Sequence, residues 1–263
     1  MFHLEKPYIM CINRLIHNLF LKNTLLMTQN YTIIFDLDGT LVDTAPDLMS
    51  AHNHVMKKYG YPTKTVTDIR NLVGQGAGAM IGRSIWGQAK SEFGKIDDQK
   101  IKAAMVKEFV SYYGNNIINE STLINGVKEF LKWCRNKKIS MAVCTNKQEH
   151  LAIDLLKKIG IYDYFEYVAG HDTFDFCKPD PRHLTNIIEI LDGNIKKTLM
   201  FGDSESDANA ARAASIPVIL LENGYTEKNT NEIYHNHLIK DFIGVEKIVS
   251  TYLKDWFNFF SYY

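Results

Sequence analysis

Two aspartates one residue apart, Asp36 and Asp38, follow directly on an apolar and β-branched run in "YTIIFDLDGTLVDTAPD". A second pair, Asp203 and Asp207, follows "TLMFG". Thr145 closes "ISMAVCT" with Asn146 behind it, and Lys178 stands in "CKPDP". In open parallel sheets ligands bind beyond the carboxyl ends of the strands, so these side chains gather at one edge if their strands are parallel neighbours. Carboxylates crowded into one cleft repel each other and need a positive partner. Oxygen donors with few histidines nearby suit Mg²⁺, which keeps waters and works alongside phosphate. Lys178 is a second source of positive charge. Each residue alone has a plainer explanation, since an aspartate after a strand is often a helix N-cap and a loop lysine is usually solvated. Their joint order along the chain is what points to chemistry.

The elements that must position them show in the hydrophobic pattern. Residues 31–35 are apolar on both sides, as in a parallel strand covered on both faces. Similar runs occupy 139–145, 198–202 and 217–221, with a shorter one at 167–170. Helical periodicity falls between them. Val127, Phe130, Leu131 and Cys134 share one face, as do Leu151, Leu155 and Ile159 before a C-cap at Gly160. "DPRHLTNIIEIL" opens with Asp180 as N-cap and Pro181 in the first turn. The alternation predicts an α/β fold, a Rossmann-like doubly wound parallel sheet. Residues 44–118 carry only helical patterns, at 46–59, 65–72, 77–90 and 97–113, and are read as an inserted helical cap domain. The catalytic core is then 28–43 and 119–263.

With these motifs in this order the chain resembles the haloacid dehalogenase-type hydrolase superfamily. "DLDGTLVDT" is similar to its first motif, "CTN" to the second, "CKPDP" to the third and "GDSESD" to the fourth. The resemblance implies a Mg²⁺-dependent phosphatase. It implies that Asp36 is the nucleophile and forms an aspartyl-phosphate, while Asp38 gives a proton to the leaving alkoxide and later takes one from water. Mg²⁺ would be held by Asp36, Asp203 and the backbone carbonyl of Asp38, with Asp207 orienting the metal's surroundings or Lys178. Thr145, Asn146 and Lys178 would hold the phosphoryl oxygens. Gly39 permits the turn that returns Asp38 over Asp36.

The glycine-rich stretch "LVGQGAGAMIGRS" leads into a cap helix, whose exposed N–H groups can meet an anion. It resembles the cap loop of bacterial phosphoglycolate phosphatases. This makes a small phosphorylated metabolite, 2-phosphoglycolate, the expected substrate, with Gly76 and either Arg83 or Arg70 as contacts. The loop departs from that family in having Ala77, Gly78 and Ala79 where an acidic residue is usual. A β-phosphoglucomutase-like isomerase and a phosphatase or pyrophosphatase of another small substrate share the core motifs, whereas an inactive metal- or phosphate-binding homologue should have lost a motif residue, and none is lost here. A dinucleotide-binding oxidoreductase is disfavoured, because no G-x-G-x-x-G follows the first strand.

Lys+Arg and Asp+Glu balance at 30 each, which gives no basic surplus for nucleic acid or an anionic membrane. The four cysteines show no Cys-x-x-Cys spacing and are read as reduced thiols of a cytoplasmic protein, with Cys144 and Cys177 as small buried fillers. Residues 1–27 are apolar and basic but interrupted by Lys6, Arg14 and Lys22, so they read as an N-terminal extension outside the fold and not as a stable membrane span. The aromatic tail 255–263 is expected to pack on the core or on a partner subunit, and a homo-oligomer is compatible with the sequence.

Overall fold

The computed structural model describes residues 31–87 and 96–258; the expectations for the N-terminal extension and for the aromatic tail's side chains fall outside the described residues. Among the described residues eight strands are formed: β1 Thr32–Phe35, β2 Val42–Asp43, β3 Thr122–Leu123, β4 Ser140–Cys144, β5 Tyr167–Ala169, β6 Thr198–Gly202, β7 Val218–Leu221 and β8 His237–Ile239. Six of them make one sheet in the spatial order β5-β4-β1-β6-β7-β8, every pairing parallel. Numbered along the chain, these six lie in the doubly wound order 3-2-1-4-5-6, whose reversal falls between β1 and β6.

Alternation along the strands builds a core on each face. Ile33, Phe35, Leu199 and Phe201 pack with Phe130 and Phe242 on one side, while Ile34, Ala142, Met200 and Leu184 pack on the other. Phe35 stacks on Phe201 with ring centroids 5.2 Å apart. This pair locks the register of β1 against β6, and so fixes where the residues after each strand emerge. Burying each such ring contributes about 1.5–3 kcal/mol.

Helices α1 Ala45–Lys58, α2 Val66–Leu72, α3 Ala77–Trp86 and α4 Ile96–Asn115 lie between β2 and β3. The antiparallel pairing of Val42 with Leu123 brings the two ends of this insertion together. Asp47 in the first turn of α1 reinforces the closure. It is buried and accepts the N–H groups of Glu120 and Ser121 and the Ser121 hydroxyl, at 2.6–3.1 Å. The third cap helix stops at Trp86, ahead of the expected 90, because Gly87 takes φ +76° at its C-cap.

Helices α5 Val127–Asn136, α6 Glu149–Ile159, α7 Arg182–Ile190, α8 Glu205–Ala213 and α9 Val245–Asn258 complete the described chain. Gly160 is left-handed at the end of α6, as the sequence suggests. Helix α7 starts later than expected. Its N-cap is Pro181, while Asp180 Oδ1 accepts the Arg182 N–H at 2.9 Å from one residue further out. Among the described residues no helix is long and apolar enough to cross a membrane.

Candidate active site

The first strand delivers Asp36 to the switch point. Its N–H donates to the Phe201 carbonyl at 2.9 Å, which continues the β1–β6 ladder one residue beyond the strand. The Asp36 carboxylate is buried against Lys178, whose Nζ lies 2.7 Å from Asp36 Oδ1. The same ammonium donates to Asp207 Oδ1 and to the Cys144 carbonyl, both at 2.6 Å. An ammonium has three N–H donors, and all three are taken by protein acceptors. Lys178 therefore braces the carboxylates. A cis peptide bond joins it to Pro179.

Asp203 follows β6 and is buried beside Asp36 and Asp207, with one oxygen from each of the three within 4.8 Å of the others. Asp203 Oδ2 accepts the Tyr225 N–H at 2.6 Å. Gly39, at φ +83°, lies so close that a Cβ there would stand 2.1 Å from Asp203 Oδ2. Asp207 lies in the first turn of the next helix. Its Oδ2 accepts the Ser204 N–H, the Ser204 hydroxyl and the Asp203 N–H at 2.8–3.2 Å, forming a capping box at the start of α8. With its other oxygen on Lys178, Asp207 is fully engaged in positioning.

The electrostatics follow from this crowding. Burial pushes Asp36 up to about 7, against the pull of Lys178 and with added repulsion from Asp207 and Asp38. Burial, then repulsion from Asp36 and Asp207, holds Asp203 well above the ordinary carboxylate range. Burial alone would lower Lys178, but Asp207 and Asp36 keep it above the usual lysine value. Buried oxygens that resist ionisation until a cation arrives are a fitting donor set for a hard divalent ion.

Asp38 leaves the turn with both oxygens satisfied. Thr44 donates to Oδ1 at 2.6 Å, and Lys147 Nζ lies 2.6 and 2.7 Å from the two oxygens. Thr145 Oγ1 accepts the Lys147 N–H at 3.1 Å, which leaves its own hydrogen to donate. The Asn146 amide donates toward the Gly74 and Lys178 carbonyls at 2.8 and 2.9 Å, tying the cap loop to the core. Asp36, Asp38, Thr145 and Asn146 open onto a cavity of about 310 Å³ whose far wall includes Gly76.

Neither arginine named from the sequence lines this cavity. Arg83 turns its guanidinium to the Leu72 carbonyl and lines a separate cavity beside Ser204. Arg70 pairs with Asp43 at 2.6 Å. Cys144 is buried as expected, but Cys177 is only half-buried, because it sits in the loop before α7. Sequence reasoning missed Thr44, Tyr225 and Lys147. Lys147 had a signal, since it continues the T-N stretch at the end of β4. Tyr225 had none, as it reaches Asp203 from a loop beyond β7.

A parallel switch-point sheet, an acidic cleft braced from beneath by one lysine, and a helical insertion over its mouth define a Rossmann-like hydrolase. The sequence profile described as haloacid dehalogenase-like hydrolase matches residues 33–221, and the chain belongs to this family. The chain is 40% identical over 222 residues to the phosphoglycolate phosphatase of Agrobacterium fabrum, covering 82% of this chain and 93% of that protein. It is 37% identical over 210 residues to that of Mesorhizobium japonicum, covering 80% and 90%. A crystal structure described as a predicted phosphoglycolate phosphatase from Haemophilus somnus superposes with a TM-score of 0.76 at 30% identity, covering 84% of this chain and 99% of that one.

Proposed function

We propose that the protein is a Mg²⁺-dependent phosphatase that hydrolyses 2-phosphoglycolate to glycolate and phosphate through an aspartyl-phosphate on Asp36. The observation that carries this reading is the Asp36 carboxylate itself. It is held by Lys178 in the wall of a cavity that is also lined by Thr145, whose hydroxyl has a hydrogen to give. The names of the similar proteins support the choice of substrate.

Asp36 Oδ attacks phosphorus, and the ester oxygen leaves with a proton from Asp38. Water then attacks phosphorus of the aspartyl-phosphate, Asp38 takes its proton, and Asp36 is regenerated. Thr145 donates to a phosphoryl oxygen, with Asn146 beside it. Asp36, Asp203 and the Asp38 carbonyl would hold Mg²⁺, which supplies neutralisation of the charge between nucleophile and phosphate. Asp207 and Lys178 hold that set in place. The insertion at residues 44–118 acts as the cap that closes the cavity. The free buried thiols Cys134 and Cys144 suit a reducing cytoplasm.

The test is phosphate release from a panel of 2-phosphoglycolate, sugar phosphates and pyrophosphate, with Mg²⁺ and with chelator. Mg²⁺-dependent release with 2-phosphoglycolate preferred is expected. Rearranged sugar phosphate without net phosphate would instead favour the isomerase.

A further inference from the structure

A substrate with a carboxylate brings a second anionic group into a cleft that already holds four aspartates. Lys178 already spends three donors on Asp36, Asp207 and the Cys144 carbonyl and does not line the cavity. Arg70 and Arg83 do not line the cavity. Among the described residues the lysine or arginine side chain on the cavity wall is that of Lys147, which is only 6% exposed. His171 also reaches the wall, but it is exposed and lies 3.6 Å from Asp172. The Lys147 ammonium lies over the Tyr113 ring, 4.7 Å from its centroid, and donates to Asp38.

Asp38 is the group placed to protonate the ester oxygen, and in 2-phosphoglycolate a single methylene separates that oxygen from the carboxylate carbon. A cation hydrogen-bonded to both oxygens of Asp38 is therefore beside the place where the carboxylate must lie. We propose that the Lys147 ammonium, bridging from Asp38, is the group that recognises the substrate's carboxylate and selects carboxylated phosphomonoesters. This rests on the substrate reading given above and replaces the arginine expected from the sequence.

The experiment compares kcat/KM for 2-phosphoglycolate and for 2-hydroxyethyl phosphate, which carries a neutral CH₂OH in place of the carboxylate. In Lys147→Met the preference for 2-phosphoglycolate should collapse by about 10²-fold, the size of one charge-assisted hydrogen bond. Most of the change should fall on KM. Lys147→Gln keeps a donor for Asp38 and should show the same collapse. Equal losses on the two substrates would overturn the proposal, because Lys147 would then act only through Asp38. Crystals of the wild-type protein soaked with glycolate and phosphate read the contact without any variant. The glycolate carboxylate should lie against Lys147 Nζ, and a carboxylate bound elsewhere overturns the assignment. If the wild-type protein hydrolyses other phosphomonoesters but not 2-phosphoglycolate, the substrate reading itself fails. That result is distinct from a wild-type preference that survives in the variants.

Discussion

Replacing Lys178 by methionine keeps the apolar stem of the side chain and removes the ammonium that three oxygens share. In the native cleft those oxygens lie 2.6–2.7 Å from Nζ, and the lysine is 3% exposed, so water cannot take its place. Removing one partner of a buried ion pair costs about 3–5 kcal/mol, because the remaining charge is left uncompensated. That is a large part of the roughly 5–15 kcal/mol that stabilises a folded domain. The loss should depend on pH. Asp36 is raised from 3.8 to about 7, so the folded protein binds a proton that the unfolded chain has released. Without a metal ion, this group's contribution to stability therefore falls as pH rises from its unfolded value through about 7. In Lys178→Met the carboxylates have lost their cation, and protonation becomes their only relief. The deficit should be small near pH 5, where they neutralise, and approach the full about 3–5 kcal/mol near pH 8. Mg²⁺ should recover part of it by binding the folded state. Urea unfolding followed by circular dichroism, at both pH values with and without Mg²⁺, measures all of this. A deficit below about 0.5 kcal/mol at both pH values, the size of an inconsequential surface change, would refute the reasoning.

Gly39→Ala forces a side chain into a left-handed position, at about 1–2 kcal/mol, and into the Asp203 carboxylate, at about 1–3 kcal/mol more. Thermal unfolding should show the loss, and Mg²⁺ titration of activity should shift to higher concentration; an unshifted titration contradicts a metal-holding role for the Asp203 carboxylate beside Gly39. Because burial holds both Asp36 and Asp203 high, Mg²⁺ must displace protons from them. Apparent Mg²⁺ affinity should therefore fall as pH drops below about 7, and calorimetry in buffers of different ionisation enthalpy should register proton release. Affinity independent of pH would count against Asp36 and Asp203 as ligands.

The parts of the fold legible in the sequence were those written in local patterns. The apolar runs gave five of the six strands of the sheet, and Gly160 and the helical periodicities marked α5 and α6. Strand β8 was not visible because, unlike the equally short edge strand β5, it buries only one of its three residues, Ile239, and so carries too little apolar pattern. The pairing of β2 with β3 was hidden because its partners are separated by the whole insertion. In the site, Asp36, Asp38, Asp203 and Asp207 announced themselves by following strands. Spacing could not show that Lys178 is saturated by protein acceptors, that Lys147 neutralises Asp38, or that Arg83 turns away, since these depend on long-range packing.

The central claim is that Asp36 forms the bond to phosphorus. Borohydride added during steady-state turnover of 2-phosphoglycolate reduces an aspartyl-phosphate to homoserine, which peptide mass spectrometry locates in the chain. Homoserine is expected at position 36, appearing only with substrate and Mg²⁺ and absent from Asp36→Asn. Reduction at another carboxylate, or turnover at the wild-type rate by Asp36→Asn, would contradict it.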